Sequence, residues 1–146
     1  MKIVYTCFCT DVIHEGHMNI IHEAKKYGRV VVGVLSDEAS IRFNRFPGVS
    51  FTERINMVKS IPGVDEVIIQ NKVMYDEIIE KLHPDYVIHG DNWLEPPMRA
   101  IRDNVSILLK EYGGKIIDVS YTYSEEIRHI DAQVKERLAM PEYRRK

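Results

Sequence analysis

Cysteine is scarce in this chain: its 146 residues hold two, Cys7 and Cys9. Two positions apart on one extended stretch is poor geometry for a disulfide, and two thiols are too few for a metal framework, so both are read as reduced. Long apolar runs are missing as well. None approaches the roughly 20 residues a membrane-spanning helix requires, and the N-terminus lacks the charged and apolar regions of a signal peptide. The expectation is a soluble, cytoplasmic protein. A block of basic residues is also absent: 20 Lys and Arg stand against 22 Asp and Glu, for a net charge of −2. That balance argues against a general nucleic-acid surface. Nor is there an internal repeat, a low-complexity tract or a linker. The length suits one domain with a proper core, placed at residues 1–140. Residues 141–146, Pro-Glu-Tyr-Arg-Arg-Lys, leave the pattern as a basic tail.

What is present is a regular alternation of strand-like and helix-like segments. Lys2 to Phe8 reads as a buried strand, and Ile20, Ile21 and Ala24 repeat at helical spacing after it. Gly28 ends that helix, and Arg29 to Leu35 is nearly continuous apolar sequence, as expected of a parallel strand covered on both faces. Ser50 to Arg54 opens a helix with a possible Ser50–Glu53 capping box, and Ile55, Met57, Val58 and Ile61 form its buried side. Further strands are expected at 65–69, 86–89 and 115–119, with helices at 75–82 and from about Pro97 to Tyr112. The fold class is therefore α/β: a Rossmann-like, doubly wound, five-stranded parallel sheet with flanking helices.

In such sheets ligands bind beyond the carboxyl ends of the strands, where the strand order reverses. Phe8 to Asp11, Ser36-Asp37, Gly90 to Trp93 and Ser120 to Ser124 all follow expected strands and could share one rim. The first of these leads into His14-Glu15-Gly16-His17, at the start of the first helix. Unpaired backbone N–H groups and the positive end of the helix dipole attract anions there, and Gly16 permits close approach. Two imidazoles three residues apart can reach one phosphate together. The bland alternatives are a cap plus a surface histidine, or a zinc site, for which no third ligand with its own spacing is visible.

Histidine-x-glycine-histidine between a strand and a helix is the signature of a superfamily of nucleotidylyltransferases, and the chain resembles their cytidylyltransferase family over nearly its whole length. It is similar to glycerol-phosphate cytidylyltransferases, and most of all to the domains associated with phosphoenolpyruvate mutase in phosphonate biosynthesis. The resemblance implies transfer of CMP from CTP to a phosphonate or phosphorylated small molecule, with Mg²⁺ assisting, pyrophosphate released and a homodimeric assembly. ATP in place of CTP stays open, as does a non-catalytic nucleotide-binding or regulatory module of the same fold.

By that resemblance His14, His17 and Arg45 are the catalytic residues. Phe8, Cys9, Asp11, Gly16, Arg54, Gly90, Asp91, Asn92, Trp93, Thr122 and Ser124 are the nucleotide-binding ones, and no metal ligand is assigned. Asp11 either organises the site or only supports its loop. Cys9 stands where relatives often have a hydroxyl, and a thiol donates weakly. In the loop where relatives carry lysines for the outer phosphates, this chain has Phe43 and Arg45; Arg45 keeps the charge, with Arg42 either compensating or merely solvated. Arg54 is read as a nucleotide contact, or else as a surface salt-bridge partner. Gly90-Asp91-Asn92-Trp93 resembles the family's Gly-Asp-Asp-Trp, with an amide in place of the second acid and Trp93 as a flat apolar wall. His89 either faces the acceptor or packs in the strand. The largest departure is Tyr121 to Arg128, where Glu125 and Glu126 replace hydroxyls that would face an anion.

Overall fold

The computed structural model describes residues 1–8, 13–42 and 48–120. Five strands, β1 (Ile3–Phe8), β2 (Arg29–Leu35), β3 (Glu66–Gln70), β4 (Tyr86–Gly90) and β5 (Lys115–Val119), pair in parallel in the order β3-β2-β1-β4-β5. The chain runs outward from β1 to one edge, returns, and fills the other side from β4. The order therefore reverses between β1 and β4, as the doubly wound reading expects.

Alternation along the strands splits the core. Val4, Phe8, Val30, Val32 and Val34 face helices α1 (Glu15–Ala24) and α3 (Phe51–Lys59), where Ile21, Ala24 and Val58 meet them. Tyr5, Val31 and Val87 face α4 (Asp76–Leu82) and α5 (Arg99–Lys110), packing with Ile78, Ile79, Ile101, Val105 and Leu109. With both faces covered, the inner strands need no polar side.

β1 and β2 are each tied down at the amino end by an aspartate. Asp85 accepts a hydrogen bond from the Ile3 N–H at 2.8 Å. Asp65 accepts from the Val30 N–H at 2.8 Å and from the Lys25 ammonium at 2.5 Å. Asp65, expected as a strand residue, thus lies just before β3 and satisfies backbone instead. Another polar link crosses the sheet above Gly33: the Tyr5 hydroxyl donates to Gln70 Oε1 at 2.6 Å, and Gln70 Nε2 donates to the Lys72 carbonyl at 2.8 Å. A Cβ on Gly33 would sit 1.8 Å from the Tyr5 oxygen, so only glycine lets this side chain pass over β2.

Three expectations are corrected. A short helix, α2 (Asp37–Arg42), stands where a phosphate loop was expected to begin. Its first acids favour a helix start, and Ser36 Oγ accepts from the Ala39 N–H at 3.2 Å. The last helix begins at Arg99 and not at Pro97, after the turn of residues 91–94. Of the proposed Ser50–Glu53 box, the Ser50 half is present, with its hydroxyl accepting from the Glu53 N–H at 3.2 Å.

Candidate active site

β1 ends at Phe8 and β4 at Gly90, side by side where the strand order reverses. The turn of residues 91–94 follows β4, and α1 begins beside it with His14 as its N-cap. His14 and His17 form a capping box built from imidazoles. His14 Nδ1 accepts from the Gly16 N–H at 3.0 Å, and His17 Nδ1 accepts from the His14 N–H at 3.1 Å. A backbone N–H can only donate, so each Nδ1 is a lone pair and each ring carries its hydrogen on Nε2. The box therefore fixes both tautomers and leaves two N–H donors on the ring edges away from the cap. The ring centroids are 4.2 Å apart.

His17 is held neutral. Its pKa is pushed down to about 3, first by burial and then by the charges of His14 and His89. The N-terminal end of the helix disfavours a cation in the same sense. Phe8, buried as the last residue of β1, meets the His17 ring edge to face at 4.8 Å, so it supports the imidazole from below. Gly16 is buried in the first turn of α1. Two oriented N–H donors at a helix N-terminus, one of them held neutral, suit an anion that gains charge during reaction.

Arg54 overturns the reading of a surface partner. It is 1% exposed, donates to the Leu35 carbonyl at 2.8 Å and pairs with Asp37. Its guanidinium lies over the Phe51 ring, and Nε has no hydrogen-bond partner among the described residues. The side chain thus clasps the carboxyl end of β2 to the start of α2, on the ligand-binding edge of the sheet.

Trp93 also departs from expectation. It is fully buried, so it is no open wall for a base. Its indole N–H donates to Asp118 Oδ1 at 2.7 Å, and one face is stacked on His89 at 4.2 Å and 10° between planes. Asp118 is fixed in turn by Arg102, through bonds of 3.1 and 2.7 Å to its two oxygens. Arg102 first, with the Trp93 bond, holds the Asp118 carboxyl below its usual range against the cost of burial. Gly90 is buried, Asp91 half-buried and Asn92 exposed on the turn. The structure therefore brings together Phe8, His14, Gly16, His17, Gly90 and Asp91, with Arg54 one strand away. Cys9, Asp11, Phe43, Arg45, Thr122, Ser124, Glu125, Glu126 and the tail at 141–146 lie outside the described residues.

Sequence reasoning gave no role to Asp118 or Arg102, placed Asp37 on the rim without a partner, and left His89 open. No local signal marks the first two. Asp118 is 25 residues from Trp93, and the contact exists only because β4 and β5 are neighbours.

A parallel doubly wound sheet whose reversal point carries a paired-histidine helix cap defines a nucleotide-binding α/β domain. The family model of cytidylyltransferase-like proteins matches residues 4–142, and the chain belongs to that family. Among curated relatives, the bifunctional protein HldE of Desulfatibacillum aliphaticivorans is 30% identical over 119 residues, covering 80% of this chain and 23% of that protein. The ethanolamine-phosphate cytidylyltransferase of Arabidopsis thaliana is 38% identical over 95 residues, covering 61% of this chain and 23% of its own length. The chain thus spans about a quarter of the length of these relatives. Among solved structures, the lipopolysaccharide core biosynthesis protein of Thermoplasma volcanium superposes with a TM-score of 0.70 at 21% identity, over 84% of this chain and 99% of that one. The pantothenate synthetase of Thermus thermophilus gives 0.60 at 14% identity, over 99% of this chain and 64% of that one. These two likenesses are of fold.

Proposed function

We propose that this domain transfers CMP from CTP to a small phosphorylated or phosphonate acceptor and releases pyrophosphate. The observation that supports this most is the imidazole capping box: it orients His14 and His17 at a helix N-terminus, where the strand order reverses. In the reaction an acceptor oxygen forms a bond to the α-phosphorus while the bond to the bridging oxygen of pyrophosphate breaks. Negative charge moves onto the leaving group, and donors already aimed at it stabilise that charge without reorganising.

Mg²⁺ fits as an ion arriving on the triphosphate, since it keeps several waters and takes substrate phosphates in preference to an all-protein cage. Among the described residues no three metal-ligating side chains converge, and Asp91 is the acid that opens the turn. The ion would supply neutralising charge to the outer phosphates.

The name of the Arabidopsis relative supports CTP and a phosphoalcohol acceptor; the resemblance to mutase-associated domains supports a phosphonate. The deciding experiment is pyrophosphate release from CTP or ATP with Mg²⁺ and a panel of phosphoalcohols and phosphonates, alongside His17→Ala. Turnover with CTP and one acceptor is expected, reduced about 10²–10³-fold in the variant. CTP binding with no pyrophosphate from any acceptor would instead support the binding-module reading. A homodimer is proposed as well, and sedimentation equilibrium checks it.

A further inference from the structure

One hydrogen-bonded line runs from α5 through β5 to the turn of residues 91–94. Arg102 donates to both oxygens of Asp118, at 3.1 and 2.7 Å, and Asp118 Oδ1 accepts the Trp93 indole N–H at 2.7 Å. Asp118 is the register partner of His89 in the parallel pairing of β4 and β5, so both side chains stand on the same face of the sheet. There the indole lies flat on the His89 ring, with the Tyr75 ring 6.3 Å away between centroids. The phosphate chemistry of His14 and His17 makes no use of this line.

We propose that Asp118 and Arg102 are positioning residues for the nucleoside half of the substrate: they lock the indole of Trp93, and through it the turn that presents Asp91 and Asn92 to the nucleoside. This rests on the nucleotide reading above.

Burial alone does not supply that lock. The hydrophobic effect keeps Trp93 in the core but is non-directional, whereas a hydrogen bond fixes the rotation of the ring. At the turn itself the Glu95 N–H meets the Asn92 carbonyl at 3.5 Å, and the Arg99 guanidinium reaches the Leu94 carbonyl at 3.4 Å. Both are long. The indole bond is short and ends on a carboxylate, which makes it the stronger kind. Asp118 is kept from turning by the planar fork of Arg102, which grips both of its oxygens; a lysine would offer only a point charge. Asp91 and Asn92 share the short turn with Trp93, so a tilt of the indole would carry both with it. The turn thus takes its orientation from a strand and a helix that lie outside the histidine cap.

Trp93 is the chain's only tryptophan, so a single indole N–H signal in a ¹H–¹⁵N spectrum reads the lock directly. The test combines that spectrum with calorimetric binding of CTP and of inorganic tripolyphosphate, each with Mg²⁺, to the wild type, Asp118→Ala, Asp118→Asn and Arg102→Gln. In the wild type the indole proton should exchange slowly. Asp118→Ala should shift its signal, speed its exchange and weaken CTP about tenfold, while tripolyphosphate binding stays within about twofold. Asp118→Asn keeps an acceptor and should recover most of the CTP affinity, with Arg102→Gln in between. Equal weakening of both ligands, or fewer sites at unchanged affinity, would mean damage to the fold and overturns the inference; so does a CTP affinity unmoved in every variant. A wild type that binds tripolyphosphate as tightly as CTP overturns the inference and the nucleoside part of the reading it rests on. Binding of neither overturns the nucleotide reading itself. Should Asp118→Ala not fold, Arg102→Gln decides by the same signs.

Discussion

His17 carries two duties that one substitution can separate. As a capping partner it accepts a hydrogen bond, and as a buried imidazole it resists protonation. Its folded pKa of about 3 lies below the unfolded value near 6.5, so between those points the unfolded chain binds more protons. Its contribution to stability is complete above about pH 7.5 and is lost as pH falls through that window, at up to about 1.4 kcal/mol per pH unit. Glutamine at this helix position can also reach back to the N-cap N–H. Urea unfolding of His17→Gln should therefore give wild-type stability to within about 1 kcal/mol at pH 8 and a visibly flatter loss towards pH 5. A slope equal to that of the wild type would mean that His17 titrates normally in the folded chain. His14→Ala removes the acceptor for Gly16 and should cost about 1 kcal/mol.

At the scale of elements, the Tyr5–Gln70 bond ties β1 to β3 across the glycine of β2. Tyr5 is fully buried, and burial raises its phenol well above the usual range, so it acts as a neutral donor throughout the working pH. Tyr5→Phe leaves Gln70 Oε1 buried without that donor, a loss of about 1–3 kcal/mol. Gly33→Ala is worse: the new methyl must displace Tyr5 from both the bond and its edge-to-face contact with Tyr75. Thermal unfolding should show a larger drop for Gly33→Ala than for Tyr5→Phe. The double variant should lose less than the sum, because both remove one interaction. Additive losses would show that the two residues act independently.

At the scale of the molecule, the site is assembled from segments that meet only on the carboxyl edge of the sheet, so ligand binding should stabilise the fold as a whole. CTP with Mg²⁺ at about 100 times its dissociation constant should add roughly 2.7 kcal/mol, or about 5–11 °C in Tm for a chain of this size. ATP at the same concentration should do less, and His17→Ala should remove most of the CTP effect. Equal shifts with both nucleotides would point to a site that reads phosphates and not the base.

Much of this was legible without coordinates. The alternation of apolar strands and amphipathic helices determined a parallel doubly wound sheet, because each buried run had to be covered on both faces. The spacing of His14 and His17 after a strand placed both at a helix start. Local pattern could not show α2, whose six residues are too few for periodicity to register. Nor could it show that Arg54 turns inward to Asp37, or that Trp93 is closed off by Asp118, since those partners lie 17 and 25 residues away. Sequence thus decided which elements form and where an anion would meet them, both being matters of local spacing. Tertiary structure decided which nitrogen each histidine presents and which side chains are buried, because those depend on neighbours brought together only by the order of strands in the sheet.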